Sequence, residues 1–188
     1  MLKIGDRTPR FVLISDDGER IRSEDLSGKV VLYFYPRDDT PGCTREAQGF
    51  TSAGSRLAAL GARVLGVSRD GTASHCRFKA KYGLTFPLLS DPDLAVHRAF
   101  GAWGEKTMYG KKVEGVIRST FILEDGRVVR AFGNVKVDGH VDAVLAALGE
   151  PTASGTAPKK AAPKKAAPKK AAPKKAAPKK AARDKPKR

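Results

Sequence analysis

Apolar positions in the first 150 residues come in short blocks whose spacing switches between that of strands and that of helices. Phe11-Val12-Leu13-Ile14, the turn Asp16-Asp17-Gly18 and Ile21 predict a small hairpin. Lys29-Val30-Val31-Leu32-Tyr33-Phe34-Tyr35 is nearly continuous in apolar residues and stops at Pro36, the pattern of a strand buried on both faces. Ala47, Phe50, Ala53 or Gly54, Leu57 and Leu60 follow at helical spacing, which predicts one helix from Arg45 to Leu60 closed by Gly61. Arg63–Ser68 reads as a second buried strand, and residues 72–82 as a helix with Phe78 and Tyr82 on one face, stopped at Gly83. Pro87-Leu88-Leu89 predicts a short strand and Asp93–Phe100 a short helix. Ser119–Leu123 and Val128–Phe132 flank the turn Glu124-Asp125-Gly126-Arg127, the clearest hairpin in the chain. A last helix is expected from about Asp138 to Leu148. The order β-α-β-α-β-α-β-β-α predicts an α/β sandwich whose mixed central sheet is parallel first and antiparallel at the end, flanked by helices.

Composition then cuts the chain in two. Of 188 residues, those from Pro151 onward are almost entirely Ala, Pro and Lys, while both cysteines, all three histidines and every aromatic residue precede them. Residues 151–188 hold twelve lysines and two arginines against the single acid Asp184, a net of +13 out of +16 for the whole chain. The expected organisation is a globular domain over 1–150, with a net charge of only +3, and a basic tail over 151–188. Two cysteines are too few for a disulfide-stapled extracellular fold. Residues 1–6 lack an apolar core and a cleavage site, and no apolar run approaches bilayer length. A reducing cytoplasm is therefore expected, with no membrane span.

The candidate chemistry lies in Pro36-Arg37-Asp38-Asp39-Thr40-Pro41-Gly42-Cys43-Thr44-Arg45-Glu46, between a buried strand and an amphipathic helix. Cys43 should fall in the helix's first turn, where unpaired N–H groups and the positive end of the dipole favour an anion such as a thiolate. Thr40, three residues earlier, is close enough for its hydroxyl to face the sulfur or a bound oxidant. Pro36 and Pro41 would stiffen the loop and exclude water. Splitting an O–O bond also needs a fixed cation for the leaving alkoxide. Arg118, directly before the strand Ser119–Leu123, is the candidate.

Pro36-x-x-x-Thr40-x-x-Cys43 matches the active-site motif of peroxiredoxins, and the wording from Tyr35 to Glu46 resembles the bacterioferritin comigratory protein, or peroxiredoxin Q, group. The resemblance continues through Gly66-Val67-Ser68-Arg69-Asp70, Ser74-His75, Phe78, Phe86–Asp91, Trp103–Lys106, Tyr109–Lys112 and Gly115–Phe121, covering roughly residues 3–149. It implies a thioredoxin-like fold and a thiol peroxidase acting on hydrogen peroxide and organic hydroperoxides without metal or other cofactor. It also implies a Cys43 sulfenic acid recycled by thioredoxin or another thiol, with Thr40 and Arg118 positioning the peroxide and Pro36 shielding the site. The resemblance leans towards a monomer. Two other readings are weighed beside it. One is a thiol–disulfide oxidoreductase, disfavoured because Thr40 replaces the first cysteine of a C-x-x-C pair. The other is a DNA-associated protein with a secondary antioxidant role.

Many members of the group carry a resolving cysteine five residues after the first; here that position is Gln48. Others carry it in the helix after the second core strand, where Cys76 lies about three positions before the usual site, near Lys79. Joining Cys43 to Cys76 would need local unwinding of one or both helices. Cys76 is thus a resolving candidate, with a bystander role as the alternative. Glu46 is suited to compensating the helix dipole and to holding the loop around Cys43. Asp38 and Asp39 read as solvated loop acids, and Trp103 and Tyr109 as residues of a Gly-rich loop. His75, His97 and His140 share no metal-like spacing and read as surface or packing residues.

The tail repeats Ala-Pro-Lys-Lys-Ala over 157–182. Proline at every fifth position leaves no room for a stable helix and nothing apolar is available to bury, so disorder is expected. Its ends would average ~35 Å apart as a flexible coil. The tail resembles the lysine-, alanine- and proline-rich arms of histone-like proteins. Lys159, Lys160, Lys164, Lys165, Lys169, Lys170, Lys174, Lys175, Lys179 and Lys180 form an expected non-specific polyanion-binding set, with DNA and nucleoid association as the expectation and RNA, an anionic membrane or a solvated extension that binds nothing as the alternatives.

Overall fold

Val30, Leu32 and Phe34 point to one side of the central strand and Val31 and Tyr33 to the other, and all five are buried. That two-sided burial is what a near-continuous apolar run predicts. The computed structural model describes residues 1–108 and 111–149. Tyr109 and the expected basic tail, including its lysines, lie outside the described residues.

Seven strands form one sheet: β1 (Val12–Ser15), β2 (Arg20–Arg22), β3 (Lys29–Phe34), β4 (Ala62–Ser68), β5 (Leu88–Ser90), β8 (Ser119–Glu124) and β9 (Arg127–Phe132), in the order β2-β1-β5-β4-β3-β8-β9. β3, β4 and β5 run parallel, whereas β8 and β9 add antiparallel on one side and β1 and β2 on the other. The parallel crossovers are made by α1 (Pro41–Ser52) with α2 (Gly54–Ala59), and by α3 (Thr72–Tyr82). These helices and α5 (His140–Leu148) cover one face of the sheet through Phe50, Leu57, Phe78, Val144 and Leu145. The other face is closed by α4 (Ala95–Phe100) and the N-terminal segment, through Val96, Phe100, Phe11 and Leu26. The expected mixed α/β sandwich is the observed fold.

Two elements depart from expectation. The helix expected over Arg45–Leu60 begins earlier, at Pro41, and is divided at Ala53 (φ −85°, ψ 1°). Ser52-Ala53-Gly54 supplies little side chain to hold one axis, and Gly/Ser pairs are where helices bend. Gly49 also draws α1 close to α5, since a Cβ there would lie 3.1 Å from Val141. Secondly, Trp103 does not sit in a Gly-rich loop: β6 (Trp103–Met108) and β7 (Lys111–Val116) pair as a separate antiparallel ribbon. Gly104 faces Gly115 across it, so the period-two signal is blank where it should be strongest.

Candidate active site

The site lies where the loop leaving β3 enters α1, at the carboxyl end of the parallel strands, the usual place for a site in α/β sheets. Pro41 opens α1, the helix position where a missing N–H costs nothing. Cys43 is the third residue of that helix and is 2% exposed, within the core cluster that includes Tyr35, Ala47 and Phe50. The antiparallel register pairs Phe34 with Ser119. Arg118 is therefore delivered to the end of β3, beside the loop that carries Cys43. Its Nη2 donates to the Cys43 sulfur at 3.3 Å.

The other guanidinium nitrogen, Nη1, is paired with Glu46 Oε2. Glu46 is fully buried one helical turn beyond Cys43, and its second oxygen has no partner. Burial pushes the Glu46 carboxyl up to about 7, with Arg118 pulling the other way. Burial also opposes the Arg118 charge, but Glu46 and then Cys43 outweigh it, so the guanidinium is raised above its ordinary value. Tyr33 completes this surround: its hydroxyl is buried without a partner, and burial, then the charges of Glu46 and Cys43, raise it well above the usual phenol range. His140 Nε2 shares a hydrogen bond with Thr120 Oγ1 at 2.8 Å, and its imidazole is lowered to about 4, by burial first and then by Arg118.

The sequence candidates are thus partly assembled. Cys43, Arg118 and Glu46 meet, and Pro36 is half-buried at the start of the loop. Thr40 is the N-cap residue of α1, but its hydroxyl donates to the Arg37 carbonyl at 3.2 Å, tightening the loop from within. Cys76 is exposed on α3, and its thiol donates to the Asp16 carbonyl at 2.8 Å in the β1–β2 turn. Lys79, one turn on, pairs with the Asp16 carboxylate at 2.8 Å, so Cys76 and Lys79 share the helix face turned to that hairpin. Both cysteines are free thiols.

Asp38 is not a solvated loop acid. It is 7% exposed and accepts from Tyr35 Oη (2.7 Å), Ser74 Oγ (2.7 Å) and His75 Nδ1 (2.9 Å). Burial works to raise its carboxyl, but the bonds and charge of His75, with Ser74 and Tyr35, hold it below the usual carboxylate range. None of the three histidines is a surface residue. His75 and His97 are fully buried and His140 nearly so, each against its own partner. A signal for His75 was present in the sequence: with Phe78 and Tyr82 it falls at i, i+3 and i+7, the spacing of one buried helix face.

A cavity of about 460 Å³, lined by residues such as Arg22, Leu26, Arg63 and Phe86, includes none of these groups. The chemistry therefore has to be located from the thiol and its cation rather than from that hollow.

The AhpC/TSA family matches residues 4–132. Peroxiredoxin Bcp of Escherichia coli K12 is 42% identical over 146 residues, covering 77% of this chain and 94% of that protein. This chain is a peroxiredoxin of the Bcp/PrxQ group. Peroxiredoxin Bcp of Xanthomonas campestris pv. campestris is 55% identical to this peroxiredoxin over 120 residues, 63% of the chain and 75% of the relative. Among solved structures, a Xylella fastidiosa PrxQ mutant superposes with a TM-score of 0.74 at 40% identity, covering 79% of this peroxiredoxin and 96% of that chain. The Xanthomonas campestris bacterioferritin comigratory protein, solved in work on its alkyl peroxide reduction, gives 0.70 at 48% identity, covering 73% and 89%. The fold is thioredoxin-like, and this peroxiredoxin is a thiol peroxidase. No helix among its described residues is long and apolar enough to cross a membrane.

Proposed function

We propose that Cys43 is the peroxidatic nucleophile, and that the reading rests on one observation: a half-buried guanidinium 3.3 Å from the sulfur, held there by a fully buried carboxylate. The Cys43 thiolate attacks the terminal oxygen of hydrogen peroxide or an organic hydroperoxide. An S–O bond forms as the O–O bond breaks, sulfur is oxidised by two electrons to the sulfenic acid, and the departing oxygen takes a proton to leave as water or alcohol. Arg118 donates to the oxygen that gathers charge, and Glu46 keeps the guanidinium aimed. Thr40 and Pro36 shape the loop that admits the peroxide.

Cys76 is the resolving thiol in this scheme. Its sulfur attacks the sulfenic sulfur, an S–S bond forms and water leaves; thioredoxin or a comparable dithiol then exchanges with the disulfide. In support, Cys76 is exposed where a partner can reach it, but it faces the Asp16 hairpin, so the two sulfurs meet only after local unwinding. A monomer in the cytoplasm suffices for the cycle. The tail, residues 151–188, would tether the enzyme non-specifically to DNA, with affinity falling on the order of 10³-fold between 50 and 200 mM salt if about six phosphates are neutralised.

Peroxide-dependent NADPH consumption with thioredoxin and its reductase tests the assignment. Wild type should turn over, Cys43→Ser should not, and Cys76→Ser should stall after one turnover. Turnover by Cys43→Ser would sink the reading. Gel shifts comparing the full chain with residues 1–150 test the tether, and equal retardation by both would end it.

A further inference from the structure

The two acids that open the active-site loop are both bound to α3. Asp39 (φ +52°) reaches its last turn, accepting from Lys81 at 2.7 Å in an exposed pair. Asp38 reaches its first turn, and here the contact is buried: Ser74, His75 and Tyr35 all donate to its carboxylate. The Asp38 N–H donates to Asp70 at 2.8 Å, and Asp70 in turn accepts from Ser68 at 2.9 Å. The Asp38 carboxylate thus binds the Cys43 loop to the end of β3 and to α3, and its N–H, through Asp70, to the end of β4. Exposed ion pairs contribute little, whereas a buried acid stripped of a donor is costly. The Asp38 end therefore sets where the loop sits.

His75 is also the chain neighbour of Cys76. Successive helical residues lie about 100° apart, so with His75 turned inward Cys76 is carried round to the hairpin. Moving the Cys76 sulfur towards Cys43 draws His75 off Asp38.

We propose that His75 is a positioning residue of the peroxidase reaction: through Asp38 it seats the 36–43 loop so that Cys43 stays under Arg118, and releasing that contact frees Cys43 from its pocket. This rests on the assignment of Cys43 as the attacking group. It predicts opposite effects on two rates, since a loosened loop misplaces the sulfur for attack but opens it to a bulky reagent. The molecule contains its own control. Asp91 and His97 form a pair of the same chemistry, with Nδ1 2.6 Å from Oδ2, His97 fully buried and its Nε2 also without a partner. That pair lies on the other face of the sheet, where His97 packs edge-on against Phe34.

The test uses full-length protein carrying Cys76→Ser, so that only Cys43 is read. First-turnover oxidation by stoichiometric hydrogen peroxide is measured beside alkylation of reduced Cys43 by a bulky maleimide. His75→Leu should slow oxidation by about 10-fold or more, because ångström-scale misplacement is enough for that, and should speed alkylation by a comparable factor. His75→Asn, whose amide nitrogen stands where Nδ1 donates, should bring both rates back to within about 3-fold of the parent. His97→Leu should leave the two rates in the parent ratio although it destabilises the fold. Unchanged rates in His75→Leu, equal behaviour of the Leu and Asn variants, or a His97→Leu response as large as that of His75→Leu would each overturn the proposal. Should His75→Leu fail to fold, Ser74→Ala decides by the same opposite-signed shift at smaller size. A Cys43→Ser protein that still consumed peroxide would instead remove the assignment of Cys43. An inert Cys43→Ser beside an unaffected His75→Leu would remove only the role of His75.

Discussion

Cys43 lies in the first turn of α1 and Cys76 in the second turn of α3, and they are opposites as hydrogen-bonding groups. The Cys43 sulfur is buried and accepts from a guanidinium; the Cys76 sulfur is exposed and donates to a backbone carbonyl. The first bond strengthens when the sulfur gives up its proton, and the second exists only while it keeps it. Cys43 is the third residue of its helix, within the first turn where the dipole acts, whereas Cys76 is the fifth residue of α3 and lies beyond that turn. The larger difference is the pair Arg118–Glu46, brought to Cys43 by the register of β8 against β3.

Four measurements bear on that contrast. The largest effect is expected from Cys43→Ser, which should abolish peroxide consumption, whereas Cys76→Ser should leave the first turnover at the wild-type rate. Non-reducing mass analysis after a stoichiometric peroxide pulse should show a Cys43–Cys76 bond in wild type. Sulfinic acid or a mixed disulfide on Cys43 with Cys76 still free would break the two-cysteine scheme. Next, Arg118→Met should lower the second-order rate with peroxide by about 10²–10³-fold, the usual cost of losing one donor to a developing oxyanion. A loss under about 3-fold, read by stopped-flow mixing, would remove the guanidinium from the mechanism.

The smallest effect is on stability and sharpens the contrast through the groups around Cys43. Glu46 titrates near 7 in the folded protein against 4.5 unperturbed. Between those values the folded state holds a proton that the unfolded chain releases, so this group makes stability fall as pH rises. His140 titrates near 4 against 6.5. Over that interval the unfolded chain takes up a proton that the folded state refuses, so this group makes stability rise with pH. The two largely cancel between pH 4.5 and 6.5. Glu46→Gln should unmask a rise of about 2–3 kcal/mol from pH 4 to 6.5, and His140→Gln a fall of similar size from pH 4.5 to 7, both read by urea unfolding. Superimposable profiles for the variants and wild type would show that neither group titrates as described.

Much of this was legible in the chain. The run Lys29–Tyr35 announces a strand with two buried faces, and the helix expected over 72–82 is found over the same residues. Arg118 could be picked out because it stands directly before a strongly apolar strand, and Glu46 because it stands near the start of the helix that carries Cys43. The Asp38 network could not be read the same way. Its carboxylate and the His75 imidazole are 37 residues apart, and each taken singly looks like an ordinary polar residue of a loop or helix. Only the crossover that lays α3 beside the β3 loop brings them together. The β6–β7 ribbon was missed for a different reason, because its opposed glycines erase the alternation by which strands are recognised.

Between the end of that ribbon at Val116 and the start of β8 at Ser119 lie only Ile117 and Arg118. The Ile117 N–H is clamped to the Ala102 carbonyl at 2.8 Å, and the Arg118 carbonyl to the Val135 N–H at 2.9 Å. The short joint therefore works as a fixed fulcrum. A single residue added at the joint would swing the guanidinium off the sulfur and leave the rest of the sheet in place.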